Sequence, residues 1–278
     1  PFNKVVYAGM YANNDTVKNV CVGKDGKLTI SSLSQKDEPD EIYLYTSEDV
    51  FVSEDGSKKL FFFEESNGKT YICIKRILNL PNLGQTSMTS YEYEKIEPNH
   101  IDDAIQNAWD ERNGTKYFII NENPLGQIYH TLESTYYEFT TNEELPGYAG
   151  PYKIVNRDKA VQDVQIPGMA GRDLIDIEIV NIDGKEYLFS NDMIFISENN
   201  MVDLYAGENA ICTTQENGYA RWYTISQKDA GKTMTVNLPE NASFAVYDEE
   251  FCVYFSAVNG NRPVQLPENG KVVFIGGD

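Results

Sequence analysis

Short apolar runs, punctuated by turn residues, set the pattern of the chain. Glu41-Ile42-Tyr43-Leu44-Tyr45-Thr46, Asp49-Val50-Phe51-Val52 and Lys59-Leu60-Phe61-Phe62-Phe63 each read as a strand. Their aromatic and β-branched side chains suit a pleated, half-buried surface. Asn67-Gly68 then leads into Thr70-Tyr71-Ile72-Cys73-Ile74. An Asn-Gly pair between apolar runs predicts a hairpin, because both residues tolerate the positive φ of a type I′ turn. Asp25-Gly26, Asp55-Gly56, Asp183-Gly184, Asn217-Gly218 and Asn259-Gly260 are further turn candidates. Their spacing predicts an all-β, mainly antiparallel meander of the kind that forms sandwiches and barrels.

One segment has a different period. From Asn99 to Trp109 the apolar residues are Ile101, Ala104, Ile105, Ala108 and Trp109, the stripe of an amphipathic helix. The helix is expected near residues 100–112, capped by Asn99, with Asp102 and Asp103 at its positive end and Asn113-Gly114 as its stop.

The chain also repeats itself. Tyr7-Ala8-Gly9-Met10-Tyr11 recurs as Tyr148-Ala149-Gly150-Pro151-Tyr152, and Asp49 to Glu54 is echoed by Met193 to Glu198. Asn67-Gly68 is echoed by Asn217-Gly218, each followed by an apolar strand (Tyr71 to Ile74; Trp222 to Ile225). Landmarks in the same order at nearly constant offset predict two tandem related domains, residues 1–143 and 144–278. The polar stretch Thr140 to Glu144 separates them, and the second carries an insertion around Ile166 to Gly171.

Composition narrows the function classes. The net charge of −20, from 43 acidic against 23 basic residues, argues against nucleic acid and anionic lipid as partners. No acidic loop has calcium-ligand spacing; Asn181-Ile182-Asp183-Gly184 reads as a turn. No run of 18 apolar residues is present, so no membrane span is expected, and no signal peptide is seen. The start at Pro1, without methionine, is expected of a processed or partial chain. Cys21, Cys73, Cys212 and Cys252 stand singly, which disfavours zinc or CxxC redox chemistry. Cys73 and Cys252 lie in apolar runs and are expected as core residues.

Candidate chemistry is sparse. Ser66-Asn67-Gly68-Lys69 matches the Ser-x-x-Lys of penicillin-recognising serine hydrolases, yet it falls in a predicted turn rather than at a helix start. Tyr11-Ala12-Asn13 matches the second motif of that group but precedes Ser66, and no Lys-Thr-Gly follows. Two histidines, His100 and His130, leave little for a triad or a metal site. Paired carboxylates are too common in this chain to single out a glycosidase pair. Trp222-Tyr223 fits core packing better than a sugar platform. No catalytic, cofactor-binding or metal-ligating residue is nominated, and no cofactor is expected.

The Tyr-Ala-Gly-x-Tyr openings, the segment Ala108 to Glu122 and the ending Leu266 to Gly276 are similar to the C-terminal region of bacterial class C β-lactamase-related serine hydrolases, the penicillin-binding-protein and D-aminopeptidase-like enzymes. In that family a catalytic domain is often followed by lipocalin-like β-barrels that sit against it and shape access to its cleft. The resemblance implies a non-catalytic accessory region outside the cytoplasm, partnered by an upstream catalytic domain of the same polypeptide and by cell-wall material. The competing expectation is a free-standing extracellular module binding cell-wall glycan, peptide or a small apolar ligand. A barrel filled by its own side chains favours the first, and a large apolar barrel cavity favours the second.

Overall fold

In the computed structural model, which describes residues 4–35, 37–122, 124–126, 130–168, 174–204, 219–258 and 262–276, the strand-and-turn pattern folds mainly as antiparallel β-sheet. Packing divides the chain into two compact units, Pro1–Asn113 with Thr140–Asp176 and Gly114–Phe139 with Ile177–Asp278. Each unit is thus built from two segments, where the repeat predicts consecutive domains of residues 1–143 and 144–278.

The first unit contains a closed barrel. Its strands are β1 (Gly9–Ala12), β2 (Val17–Val22), β3 (Lys27–Ser32), β4 (Glu41–Tyr45), β5 (Phe51–Ser53), β6 (Lys58–Glu64), β7 (Thr70–Leu80) and β8 (Gly84–Ile96). Each pairs with the next, and β1 closes against β8 through Met10–Ile96, Tyr11–Lys95 and Ala12–Glu94. Alternate residues turn inward and form one apolar cluster that includes Tyr11, Leu28, Tyr43, Phe51, Leu60 and Ile72. Tyr11, Leu28, Phe51, Leu60 and Ile72 have 0% exposure, so no void large enough for water touches them. This barrel is packed by its own side chains.

The opposite set, including Ala12, Tyr71, Cys73 and Ile96, faces outward and is covered by Leu145, Tyr148, Val164 and Ile166. Burying each covering side chain is worth roughly 1.5–3 kcal/mol, which holds residues 140–168 on the barrel. Glu94 is the charged member of this surface. It is only 3% exposed, and its carboxylate accepts from Lys69 Nζ at 2.6 Å, the Tyr71 hydroxyl at 3.1 Å and the Gln165 amide at 3.2 Å. A buried carboxylate needs such partners, because desolvation otherwise drives it to the neutral form.

Helix α1 (Asp103–Asp110) is shorter than the expected span of residues 100–112. Its N-cap is Asp102 rather than Asn99. The Asn99 amide is engaged elsewhere, donating to the carbonyls of Gly147 at 3.2 Å and Ile154 at 2.8 Å. Trp109 anchors the helix, fully buried and donating from Nε1 to the Asn156 carbonyl at 2.8 Å. Gly114 takes a left-handed φ of 73°, the stop that the sequence predicts.

Turn chemistry follows the sequence with one correction. At Asn67-Gly68 only the glycine has positive φ, 77°, so the turn is not type I′; the Asn67 side chain accepts from the Lys69 amide instead. Asp183-Gly184 has φ of 52° and 76° at its two residues, as a type I′ turn requires. The candidates at Asn217-Gly218 and Asn259-Gly260 lie outside the described residues.

Strands β9 (Lys116–Ile119) and β10 (Tyr136–Glu138) belong to the second unit, and β11 (Tyr148–Ala149), β12 (Tyr152–Ile154) and β13 (Lys159–Val161) to the first. The remaining strands follow in order: β14 (Asp176–Ile182), β15 (Lys185–Ser190), β16 (Met193–Ser197), β17 (Val202–Asp203), β18 (Ala220–Thr224), β19 (Thr233–Met234), β20 (Ser243–Tyr247), β21 (Cys252–Ser256), β22 (Val264–Gln265) and β23 (Lys271–Ile275). In the second unit β14, β15, β16, β9 and β10 pair in that order, and a separate sheet runs β17-β18-β23-β20-β21. Trp222 joins the two sheets, donating from Nε1 to the Ile119 carbonyl at 2.8 Å and packing on Phe118 and Tyr247.

The repeat landmarks are partly matched in local structure. Tyr11 and Tyr152 are both buried strand residues, though Gly9 opens the strand of Tyr11 while Gly150 precedes that of Tyr152, and Phe51 and Phe195 are both buried strand residues followed by a turn. Tyr7 is in a 3-10 turn whereas Tyr148 is in a strand, and Gly218 lies outside the described residues.

Candidate functional site

The second unit presents a cleft on its edge strand β21. The strand arises from the run Phe251-Cys252-Val253-Tyr254-Phe255, which reads as a buried strand but occupies the end of its sheet. Its neighbour β20 is buried throughout, flanked on its other side by β23. The register shifts between Val246 and Tyr247: Tyr247 pairs with Cys252 and Val246 with Tyr254, leaving Val253 outside the ladder. Such a bulge re-aims side chains and is common beside binding sites.

Tyr254 packs against Phe244 with ring centroids 5.6 Å apart, and Cys252 joins the core around Trp222. Phe251, Val253, Phe255 and Val258 instead face solvent, with Phe251 51% and Phe255 48% exposed. The cleft, of about 470 Å³, is lined by His130, Cys252, Val253, Tyr254, Phe255 and Arg262. The Arg262 guanidinium stands over the Tyr254 ring, 5.5 Å from its centroid. Among the described residues no carboxylate pairs with His130 or Arg262.

Burial pushes the Cys252 thiol above its ordinary value, and the thiol donates to the Tyr254 carbonyl at 3.4 Å. Burial thus disfavours its thiolate form. Behind it, the Tyr247 hydroxyl is buried and finds no hydrogen-bond partner among the described residues, and burial raises its pKa strongly.

The residues that sequence reasoning weighed are scattered. Ser66 is exposed in the turn between β6 and β7, while Lys69 of the same motif is drawn to Glu94, with which it pairs at 2.6 Å. His100 is exposed, and His130 lines the β21 cleft. Cys21, Cys73 and Cys252 are free thiols; Cys73 is buried, as expected, with its pKa pushed up to about 11 by burial, and Cys252 is half-buried. Cys212 lies outside the described residues. Trp222 is core, which disposes of a sugar platform there. Among the described residues no group of His, Cys, Asp and Glu is disposed to hold a metal ion, and no helix is long and apolar enough to cross a membrane. The cleft itself was invisible in the sequence, because an apolar run carries no sign that its strand lies at a sheet edge. No family model, curated protein or solved structure matches the chain.

Proposed function

We propose that this chain is a non-catalytic accessory region that docks through the β21 face onto a catalytic domain of serine-hydrolase type in the same polypeptide, outside the cytoplasm. The observation that carries the reading is the exposed Phe251, Val253, Phe255 and Val258 around a cleft lined by His130 and Arg262. Contiguous apolar residues with a polar rim mark a contact surface. The packed barrel supports the same reading, since its interior leaves the buried core residues no room for a ligand. The identity of the partner domain rests on the resemblance set out above.

The test is to titrate the chain into the isolated catalytic domain of its parent and repeat the titration with Phe251→Ser/Phe255→Ser. Saturable binding that the double substitution weakens at least about tenfold is expected, since buried aromatic anchors each carry on the order of 2 kcal/mol or more. Equal binding by both forms excludes the β21 face. A second reading is favoured by the volume and basic lining of the cleft: a small or cell-wall ligand bearing a carboxylate. Retention of the chain on purified cell wall, lost in Arg262→Ala, would select it.

A further inference from the structure

We propose that the outer edge of β8 is a pairing site for a second copy of this chain, joined strand to strand about a two-fold axis. The inference does not depend on the docking function proposed above, and it concerns the other compact unit.

The edge is open. β8 runs from Gly84 to Ile96, but β1 pairs with it only at Glu94, Lys95 and Ile96. Among the described residues no other backbone hydrogen bond reaches the outer edge between Gly84 and Glu92. On the inner side, β6 meets β7 only as far as Arg76, apart from one bond from the Ile77 amide to the Ser57 carbonyl at 3.2 Å. Ile77–Leu80 and Gly84–Ser87 therefore project as a ribbon of two strands, paired Ile77–Ser87, Leu78–Thr86, Asn79–Gln85 and Leu80–Gly84. Two strands without a third are marginal in water, and every second residue of a free edge offers an unpaired backbone donor and acceptor.

The chemistry of the edge points to a copy of itself. Residues 77–91 carry no charge, in a chain where 66 of 278 residues are charged and the net charge is −20. A two-fold antiparallel pairing places each residue opposite its own counterpart or a near neighbour, so a charged strand would repel itself. Centred on Ser87, this edge would set Ser87 against Ser87, Thr86 against Met88 and Gln85 against Thr89, with no like charges opposed. Two usual protections of a free edge are also missing from Gly84 to Tyr91, which has no lysine and no proline; the one bulge of β8, at Glu92, lies at the end nearest β1. An axis perpendicular to the sheet would bring both copies' Leu78, Leu80 and Met88 onto one face of a four-stranded sheet. Leu80, Leu83 and Met88 are exposed in the single chain, Leu83 by 81%.

Two chains of −20 repel at long range, so the pairing should strengthen as salt screens them. Sedimentation velocity on the full chain, across protein concentration at about 0.05 M and about 0.5 M salt, tests this through the Debye length. The expected result is a monomer–dimer equilibrium that tightens with salt and is weakened at least about tenfold in Ser87→Lys/Thr89→Lys. That variant lessens the net negative charge, so long-range electrostatics alone would make it associate better. Both positions are exposed, and an unchanged melting temperature confirms the variant is folded. Concentration-dependent protection of residues 84–91 from hydrogen exchange places the interface on this edge. A monomer at every concentration, a dimer that salt dissolves, or a dimer unaffected by the lysines each overturns the proposal.

Discussion

Replacing Phe51 by alanine should destabilise the first unit by about 3–5 kcal/mol, the usual range for a buried phenylalanine. Phe51 has 0% exposure and meets Tyr45 and Phe62 edge-on, at centroid distances of 5.5 and 6.0 Å. A buried phenylalanine hides on the order of 150–250 Å², worth about 4–6 kcal/mol at 25 cal/mol per Å² for the whole residue. The methyl of alanine recovers part of that, and the void left among Tyr43, Leu60 and Phe62 adds a cavity term. At about 2–4 °C per kcal/mol, the melting temperature should fall on the order of 6–20 °C. Phe63→Ala is the matched control, because Phe63 is next on β6 to the inward Phe62 but faces solvent; its cost should stay below about 1 kcal/mol. Urea unfolding, with hydrogen exchange of the barrel peptides to assign the transition to this unit, gives both numbers. If Phe51→Ala costs no more than Phe63→Ala, the barrel is not filled as described, and a ligand cavity returns to consideration.

Lys69→Met removes one of three partners from the buried Glu94 carboxylate and should cost about 1–3 kcal/mol, read by chemical denaturation at neutral pH. Adding Glu94→Gln should recover part of that loss, since it removes the unpaired charge. Tyr11, Tyr43, Tyr148 and Tyr247 have phenol pKa values raised well above the ordinary range, in each case chiefly by burial. In the unfolded chain they ionise near pH 10, so the unfolded state sheds protons first; the stability they contribute is complete below about pH 10 and is lost as pH rises towards the folded values. Phenolate absorbance should therefore rise in two stages, the second coinciding with unfolding, and a single stage near pH 10 with the fold intact would contradict their burial. Asp55, fully exposed, is held down to about 2, first by the Ser53 hydroxyl and then by Ser57, so its NMR titration should lie below that of an ordinary aspartate.

Much of the architecture was legible because local pattern and tertiary structure agree. The strands at Glu41–Tyr45 and Lys58–Glu64 coincide with the apolar runs, and the helix with its 3.6-residue stripe. The helix start differs from the local pattern because Asn99, a good cap, is recruited by Gly147 and Ile154, contacts 48 and 55 residues away that no local rule anticipates. The extension of β7 to Leu80 and of β8 back to Gly84 is not legible in the sequence, since Asn79 to Ser87 lacks alternation and Pro81 reads as a break. Segment 140–176 joins the barrel unit for a reason of packing: Leu145, Tyr148, Val164 and Ile166 find apolar partners on the barrel's outer face. The β21 cleft shows the limit most clearly. Its residues look like core in the sequence, and only the strand order and the bulge at Val253 turn them outward.

Hydrogen exchange at residues 251–256 is the most direct test of docking through β21. It should be measured in the chain alone and in a polypeptide that joins it to a catalytic domain of the proposed serine-hydrolase type. Docking predicts slowed exchange in β21 of the joined polypeptide, reversed by Phe251→Ser/Phe255→Ser, with the β2–β3 peptides unchanged. Identical exchange at β21 in the two proteins would contradict the proposed role.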